Sequence, residues 1–329
     1  MGDQKNKHLL QNTLLITISL IITTVMAETL LKIISFEPKF LWPEQNCFRD
    51  NKQDLTRIFT LDPEFGFRPI LGNSLFNKYG TRVNGYDIEK KQNKERLLFI
   101  GDSVTARGKI INALRKLYGE EEFEYWNAGV ESFNTVQEVK FYEKYNKHIK
   151  PDHVILFSHN NDIQTTPVVF LNNENKIVVY SPFLKTYIVS RWLFKHSALY
   201  RIIIANYLKL VYKNSNSNAA RKLEDEVIKN IKRLKNILDQ EHIKFTLVFL
   251  PVIDSYDKWS KEEKESRLKI LKIAQELGIK YFDLTEVILR LPFESAEIVR
   301  LSTDGDRCHP EDGLSLSFAD FLFKKEIFR

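Results

Sequence analysis

The amino-acid sequence predicts an α/β fold, a doubly wound sandwich in which helices cover both faces of a parallel β-sheet. Short apolar runs alternate with segments of helical periodicity from residue 96 onward. Most of these runs are nearly continuous in apolar residues, which indicates strands that helices bury on both faces. The predicted strands are LLFIG (97–101), EFEYWNAG (122–129), HVILFSHN (153–160), KFTLVFLPV (244–252) and KYFDLT (280–285).

The predicted helices lie between or after these strands. They span residues of about 108–119, 135–147, 222–240, 261–277 and 312–326. In the segment 222–240, an apolar stripe at helical spacing is formed by Leu223, Val227, Ile231, Leu234 and Leu238. Residues 163–220 interrupt the alternation, and they predict one or two amphipathic helices followed by the polar linker NSNSNAA.

The N-terminal region predicts a membrane helix. The nineteen residues from Leu9 to Ala27 carry no charge, and a helix of that length spans about 28 Å of a hydrocarbon core about 30 Å thick. Lys5 and Lys7 precede the run, which places the N-terminus in the cytoplasm. A signal peptide cleaved after Ala27 and a buried soluble helix are the competing interpretations. The helical pattern continues through ETLLKIISF, which favours an uncleaved anchor.

Three regions follow from these patterns. Residues 1–35 form a cytoplasmic stub and a transmembrane anchor, and residues 36–94 form an irregular juxtamembrane collar of loops and short strands. Residues 95–329 form the α/β domain, with a helical insert at 163–220. Proline and glycine recur in the collar, which is typical of irregular backbone.

The composition argues against nucleic-acid binding and against a metal or cofactor site. The formal net charge of +6 is dispersed over many acidic and basic residues, a pattern that favours solubility rather than nucleic-acid binding. Cys47 and Cys308 have neither CxxC spacing nor a cluster of metal ligands around them, so we expect no metal and no cofactor. Pairing of the two cysteines outside the cytosol is left open. Cys308 taken alone is expected to be a packed thiol, because no predicted neighbour activates it.

Polar and small residues follow the ends of several predicted strands. These are Gly101-Asp102-Ser103, Asn127-Ala128-Gly129, Asn160-Asn161-Asp162 and, after the last strand, DGDRCHPEDG with Asp306 and His309. Ligands of open α/β sheets bind at the carboxyl ends of the strands. We therefore expect these residues to converge on one rim of the sheet.

This set of residue types predicts acyl-transfer chemistry. A serine hydroxyl becomes a nucleophile when a histidine takes its proton, and a carboxylate orients that histidine. The predicted catalytic triad is therefore Ser103, His309 and Asp306. The tetrahedral intermediate carries an oxyanion, and its expected donors are the backbone N–H groups of Ser103 and Gly129 and the side-chain amide of Asn161.

Some of these residues have competing interpretations. Ser103 is also a favoured helix N-cap. Asn160 is an alternative to Asn161. Asp304 and Asp283 are alternatives to Asp306, which is preferred only because it lies three residues before His309. His153 and His159 are expected to be structural, because no catalytic partner is predicted for them.

The four polar blocks resemble those of the SGNH hydrolases of the GDSL superfamily. The matching residues are Ser103 in GDSV, Gly129 in NAGV, Asn161 in NND and His309 in DRCHP. The resemblance covers about residues 95–329, and it implies a three-layer α/β/α sandwich with flavodoxin-like topology and a central parallel sheet of about five strands. Two residues depart from the family pattern, since His159 replaces a common glycine and Val104 replaces leucine.

The resemblance implies hydrolysis of carbohydrate, lipid or small acyl esters, or transfer of their acyl groups. Together with the N-terminal helix, it predicts a single-pass membrane-anchored serine esterase that acts outside the cytoplasm on O-acetyl or short-chain esters of a glycan or lipid. The alternatives are an O-acyltransferase that modifies a cell-surface polysaccharide and an inactive glycan-binding module. The alternative location is secretion after cleavage near Ala27. We expect the membrane to be a partner and nucleic acid not to be one.

Overall fold

The computed structural model describes residues 2–34, 58–62, 65–91, 93–163, 168–171, 177–180, 191–200, 202–203, 206, 218–292 and 294–329. The chain forms two compact units. The larger comprises Trp42–Phe183 and Ser217–Arg329, and the smaller comprises Met1–Leu41 and Leu184–Asn216. The three regions inferred from the sequence stay predictions.

The described chain contains nine strands and ten α-helices. The strands are β1 (Phe59–Asp62), β2 (Gly66–Pro69), β3 (Glu95–Gly101), β4 (Phe123–Asn127), β5 (His153–Ser158), β6 (Val168–Leu171), β7 (Ile177–Tyr180), β8 (Lys244–Phe249) and β9 (Lys280–Asp283). The helices are α1 (Gly2–Ile33), α2 (Ser103–Arg107), α3 (Lys109–Tyr118), α4 (Thr135–Lys144), α5 (Arg191–His196), α6 (Asn218–Gln240), α7 (Lys261–Glu276), α8 (Thr285–Ile288), α9 (Ser295–Val299) and α10 (Asp312–Lys324).

The centre of the larger unit is a five-stranded sheet with the order β4-β3-β5-β8-β9. Every neighbouring pair of these strands is parallel. Counted along the sheet, this is the 2-1-3-4-5 order of flavodoxin-like folds, whose ligands bind where the strand order reverses. The predicted parallel α/β sheet is confirmed, and the reversal lies between β3 and β5.

Helices cover both faces of this sheet. Leu97 and Phe99 of β3 belong to a core with α3, α8 and α10, whereas Leu98 and Ile100 belong to a core with α4, α6 and α7. The predicted stripe of α6 is buried in the second core from Val227 onward. Each apolar side chain buried in this way contributes about 1.5–3 kcal/mol. The three-layer sandwich is confirmed.

The boundaries of the predicted strands and helices agree with the structure to within a few residues. The helix predicted at 108–119 is α3, and it begins after Gly108, whose left-handed backbone with φ of 69° separates it from the short helix α2, which was not predicted. All five predicted strands are present. Strand β3 begins two residues before the predicted run, and the other four end before the C-terminus of theirs. The strand ends are therefore followed by the polar blocks, as expected.

The described part of the predicted collar packs against the α/β domain. Strands β1 and β2 pair antiparallel. Aromatic residues of these strands and of the adjoining loops build a third core with the loop after β4 and with α4. This core contains Phe59, Phe65, Phe67, Phe76, Val130, Phe133 and Phe141. Because Val130 directly follows Gly129, this core supports the loop that carries one of the predicted site residues.

The region predicted as a helical insert also contains strands. Within 163–220, β6 and β7 pair antiparallel in the larger unit, and α5 lies in the smaller unit. The helical interpretation missed the strand pair, although its valines and isoleucine are typical of strands. The polar linker was also too long, because α6 begins at Asn218, within the NSNSNAA segment.

The smaller unit contains the N-terminal helix. Helix α1 is continuous from Gly2 to Ile33, and among the described residues Leu10–Ile33 is the one segment long and apolar enough to cross a membrane. A signal sequence near the N-terminus has the same properties. The Glu28 carboxylate accepts hydrogen bonds from the Ser197 hydroxyl and the Ala198 and Leu199 amides at 2.8–3.0 Å. These bonds join α1 to the residues that follow α5.

Candidate active site

Ser103 is the first residue of α2, immediately beyond the carboxyl end of β3. The N-cap of this helix is Asp102, whose Oδ1 accepts a hydrogen bond from the Val104 amide at 2.9 Å. The capping role proposed as an alternative for Ser103 is therefore filled by its neighbour. The Ser103 hydroxyl is half-buried, and its Oγ lies 3.5 Å from Asp102 Oδ2.

Ser103, His309 and Asp306 form one chain of contacts, although more than two hundred residues separate the serine from the histidine. His309 Nε2 lies 2.8 Å from Ser103 Oγ. His309 Nδ1 lies 2.5 Å from Asp306 Oδ2. The imidazole is buried, with an exposed fraction of 3%. A serine, a base and a carboxylate in this order have the geometry of a nucleophile activated for acyl transfer.

The Asp306 carboxylate also organises its own loop. Its Oδ1 accepts hydrogen bonds from the backbone amides of Cys308 and His309, each at 2.9 Å. Burial raises the pKa of Asp306, but the hydrogen bonds from the His309 side chain and from these two amides outweigh it, and the pKa lies below its ordinary value. Asp306 therefore stays ionised and can stabilise a protonated imidazole.

Of the two aspartates that competed with Asp306, one pairs with an arginine and the other is exposed to solvent. Asp283 forms an ion pair with Arg267, and its Oδ1 accepts a hydrogen bond from the Thr285 amide at 2.9 Å. Asp304 is exposed in the turn Thr303–Gly305. The three-residue spacing from His309 was thus the informative signal.

The loop that carries the histidine is held at several points. The His309 carbonyl accepts a hydrogen bond from the Thr303 amide, and the Arg307 carbonyl accepts one from the Ile253 amide, each at 2.7 Å. Arg307 has a left-handed backbone with φ of 63°, and its Nε lies 2.9 Å from Asp254 Oδ2. These contacts fix the loop against the segment that follows β8.

Gly129 lies in close contact with the backbone of the nucleophile helix. A Cβ atom at this position would lie 2.2 Å from the Ala106 nitrogen and 2.6 Å from the Thr105 carbonyl carbon, so only glycine fits. The Gly129 amide donates a hydrogen bond to Asn127 Oδ1, and Asn127 Nδ2 donates one to the Thr105 carbonyl, each at 2.8 Å. The sequence interpretation gave Asn127 no role of its own, and this bridge is visible only in three dimensions.

The third block follows β5. Asn161 lies in the 3-10 turn Asn160–Ile163, at the expected end of the strand, but its side chain lies outside the described part of the structure. The Asn160 side chain is buried, and no described residue forms a hydrogen bond with its amide. The His159 amide donates a hydrogen bond to Asp162 Oδ2 at 2.6 Å, which closes this turn.

His153 has the structural position that the sequence predicted. Its ring is buried in β5, and Nε2 lies 2.8 Å from Thr246 Oγ1. Burial lowers the pKa of His153 to about 3, and the positive charges of Lys244 and Lys280 lower it further. A neutral, buried imidazole with a neighbour on the next strand is a packing residue.

Cys308 is disulfide-bonded, so the expectation of a packed thiol was wrong. Spacing alone could not reveal this, because a disulfide depends on the approach of two segments far apart in the chain. Cys47 is the only other cysteine of the sequence and lies outside the described residues. The bonded sulfur belongs to the residue directly before His309.

The chain was compared with known proteins. No family model and no curated protein matches it. Among solved structures, it is similar to the acetylxylan esterase Axe2 of Geobacillus stearothermophilus, with 16% identity and a TM-score of 0.46 over 73% of this chain and 97% of that one. It is also similar to a GDSL-like lipase of Bacteroides thetaiotaomicron, with 14% identity and a TM-score of 0.42 over 73% and 90% of the two chains. Similarity at this level assigns neither an activity nor a substrate.

Proposed function

We propose that this protein is a serine esterase of the SGNH type, anchored in a membrane and acting outside the cytoplasm. The observation that carries the proposal is the contact series from Ser103 Oγ through His309 to Asp306 Oδ2, with distances of 2.8 Å and 2.5 Å. The serine follows a parallel strand next to the reversal of strand order, where α/β proteins bind ligands. The proposed substrates are O-acetyl or other short-chain acyl esters of a glycan or lipid.

In the proposed reaction, Ser103 Oγ attacks the ester carbonyl carbon while His309 Nε2 takes the hydroxyl proton. The carbon–oxygen bond to the alcohol then breaks, and the alcohol leaves with the proton from His309. In the second half-reaction, His309 Nε2 takes a proton from water as the water attacks the acyl carbon. The bond from that carbon to Ser103 Oγ then breaks, the serine takes the proton back from His309, and the acid is released. Asp306 holds the Nδ1 proton and stabilises the transient imidazolium.

The proposed oxyanion hole consists of the Ser103 and Gly129 amides and the Asn161 side chain. Among the described residues, no hydrogen bond to the Ser103 amide competes with this role. The Gly129 amide already donates to Asn127 Oδ1, so it serves an oxyanion as a shared donor. The loss of one such donor costs about 10²–10³ in turnover.

The extracytoplasmic location draws support from two features. Leu10–Ile33 has the length and composition of a membrane span. Cys308 is disulfide-bonded, and disulfides persist in oxidising compartments but are rare in the cytosol. We propose Cys47 as the partner, because the sequence holds no third cysteine.

The direct test is hydrolysis of p-nitrophenyl acetate by the full chain in detergent. We expect wild type and Ser317→Ala to release p-nitrophenol, because Ser317 is an exposed residue of α10, and we expect Ser103→Ala to release none above background. Equal release by wild type and Ser103→Ala would refute the esterase.

The alternative of acyl transfer shares the first half-reaction. A glycan added as acceptor distinguishes the two, since transfer increases the mass of the glycan and hydrolysis leaves it unchanged. A folded wild-type chain with no activity in either assay would favour the inactive binding module.

A further inference from the structure

Among the side chains described in α1, those that are shielded lie at one level of the helix. From residue 10 to residue 26 every side chain is exposed, whereas Ala27, Glu28 and Leu31 are half-buried. At this level the Glu28 carboxylate accepts hydrogen bonds from the Ser197 hydroxyl and from the two backbone amides that follow it. Both segments belong to the smaller unit.

These bonds complete the start of a second helical stretch. The first amides of a helix have no partner within the helix itself. Residues 198–200 are helical, and the Ala198 and Leu199 amides donate to Glu28 at 2.8 and 3.0 Å. The Tyr200 amide donates to Ser197 Oγ at 3.0 Å. These three amides are therefore paired within the protein, which is what surroundings poor in water require.

The charge of Glu28 is compensated as well. Lys32 Nζ, one turn further along α1, lies 3.2 Å from Glu28 Oε1. Charged side chains at a bilayer are stabilised when they pair with one another or with polar groups of the protein. Glu28 does both, which explains how an acidic residue is accommodated near the end of an apolar helix.

The length of α1 fixes the depth of this contact. A helix rises 1.5 Å per residue, so Glu28 lies about 27 Å from Leu10 along the axis. The hydrocarbon core of a bilayer is about 30 Å thick. A span that begins at Leu10 therefore brings Glu28, and with it residues 197–199, to the opposite boundary of the core.

Exposed apolar side chains lie on either side of the contact. They belong to residues 191–200 and 202–203, which we call the insert segment. Trp192 and Leu193 of α5 have exposed fractions of 68% and 38%, and that of Ile203 is 55%. Trp192 lies six residues before Ala198 and Ile203 five after it, so at a helical rise each is within about 10 Å of the contact. Tryptophan is enriched at this depth, where its ring meets both lipid and water.

We propose that the insert segment is a second membrane contact, which lies in the interface of the bilayer beside α1 and places Trp192, Leu193 and Ile203 among the lipids. Glu28 holds it at that depth. The partner is the phospholipid bilayer, recognised through apolar side chains as in other interfacial helices. This inference rests on the proposed membrane anchor and not on the esterase activity.

The first experiment measures the emission of Trp192 in the full chain reconstituted into phosphatidylcholine vesicles. The difference between wild type and Trp192→Phe isolates this emission. We expect it to fall about twofold or more when the vesicles carry lipids brominated on the upper part of an acyl chain. Trp259→Phe is the matched control, because Trp259 is buried and its Nε1 donates to the Asp254 carbonyl at 3.1 Å. The emission of Trp259 should not respond to bromine.

Two results would overturn the membrane contact. If acrylamide quenches Trp192 and brominated lipid does not, the side chain lies in water. If neither quenches it, protein covers it, as in an association of two copies of the chain.

The second experiment tests the role of Glu28. Glu28→Leu leaves an apolar helix that still spans a bilayer but removes the acceptor of the Ala198 and Leu199 amides. We expect these amides to exchange hydrogen about tenfold faster or more in the same vesicles, and the quenching of Trp192 to weaken. Thr29→Val is the matched control, because Thr29 is exposed and its hydroxyl bonds only within α1, to the Val25 carbonyl.

The strands β3 and β5 report whether the variants remain folded, and their amides should exchange at the wild-type rate in all three chains. Equal exchange of the Ala198 and Leu199 amides in wild type and Glu28→Leu would overturn the role of Glu28.

Carbonate extraction of the vesicles separates this inference from the proposed function. A chain that carbonate removes has no spanning helix, and both the anchor and the interfacial contact fail. A chain that is retained but shows no quenching of Trp192 overturns the interfacial contact alone. A retained and quenched chain that hydrolyses no ester refutes the esterase and leaves the membrane contact standing.

Discussion

At the scale of single residues, two glycines of the α/β domain have opposite surroundings. A Cβ atom on Gly129 would lie 2.2 Å from the Ala106 nitrogen, whereas one on Gly313 in α10 would meet no atom within 4 Å. We expect Gly129→Ala to lower the free energy of unfolding by about 1–3 kcal/mol and to reduce ester hydrolysis, because α2 must move. Chemical denaturation and turnover measure the two effects.

Gly313→Ala is the control for this comparison. It should leave activity unchanged and stabilise the chain by about 0.5–1 kcal/mol, because alanine is the better helix former. Equal behaviour of the two variants would mean that the loop after β4 does not pack on α2 as described.

The Asp306 carboxylate provides a second prediction at this scale. Asp306→Asn should retain the fold and reduce kcat about 10³–10⁴-fold, because the amide cannot stabilise the imidazolium or fix its tautomer. Asp304→Asn, an exposed neighbour in the same loop, should change kcat little. Steady-state kinetics decides, and a similar small effect of both substitutions would exclude Asp306 from the triad.

The sequence indicated the site residues because each follows a predicted strand. Ser103, His309 and Asp306 could be selected by residue type and spacing, and the structure brings them into contact. The bridge made by Asn127 could not be predicted, since it depends on a close approach of α2 to the loop after β4.

At the scale of elements, the loop that carries Asp306 and His309 is held by a disulfide through Cys308. Reduction should lower both stability and turnover, because the loop gains freedom. A disulfide typically contributes about 2–4 kcal/mol. Cys308→Ser and Cys47→Ser should each resemble the reduced wild type and should not respond to dithiothreitol. Two free thiols in the unreduced chain, by thiol titration under denaturing conditions, would contradict this account.

The elements of the α/β domain were predictable because their patterns are long and local. The apolar runs predicted all five strands of the sheet, and the apolar stripe of α6 predicted the face of that helix that is buried. The short helix α2 was not predicted, because five residues carry too little periodicity to distinguish a helix from a loop. The pair β6–β7 was missed because two four-residue strands carry little periodicity.

At the scale of the whole molecule, the N-terminal helix decides where the chain works. If α1 is an uncleaved anchor, the mature chain sediments with membranes, resists carbonate extraction and retains the residues before Glu28. Mass spectrometry of its N-terminus distinguishes this from a signal peptide, whose cleavage would leave Glu28 first. We expect the intact N-terminus, because α1 is continuous through Ala27 to Ile33. A soluble chain that begins at Glu28 would support secretion instead.

The central claim is that Ser103 is a nucleophile activated by His309 and Asp306. The most direct measurement is the mass of the full chain after incubation with a fluorophosphonate, followed by peptide mapping of the adduct. We predict one adduct on Ser103 in wild type, much slower labelling of His309→Ala, and none in Ser103→Ala. A folded wild-type chain that gains no adduct, or gains it on another residue, would contradict the claim.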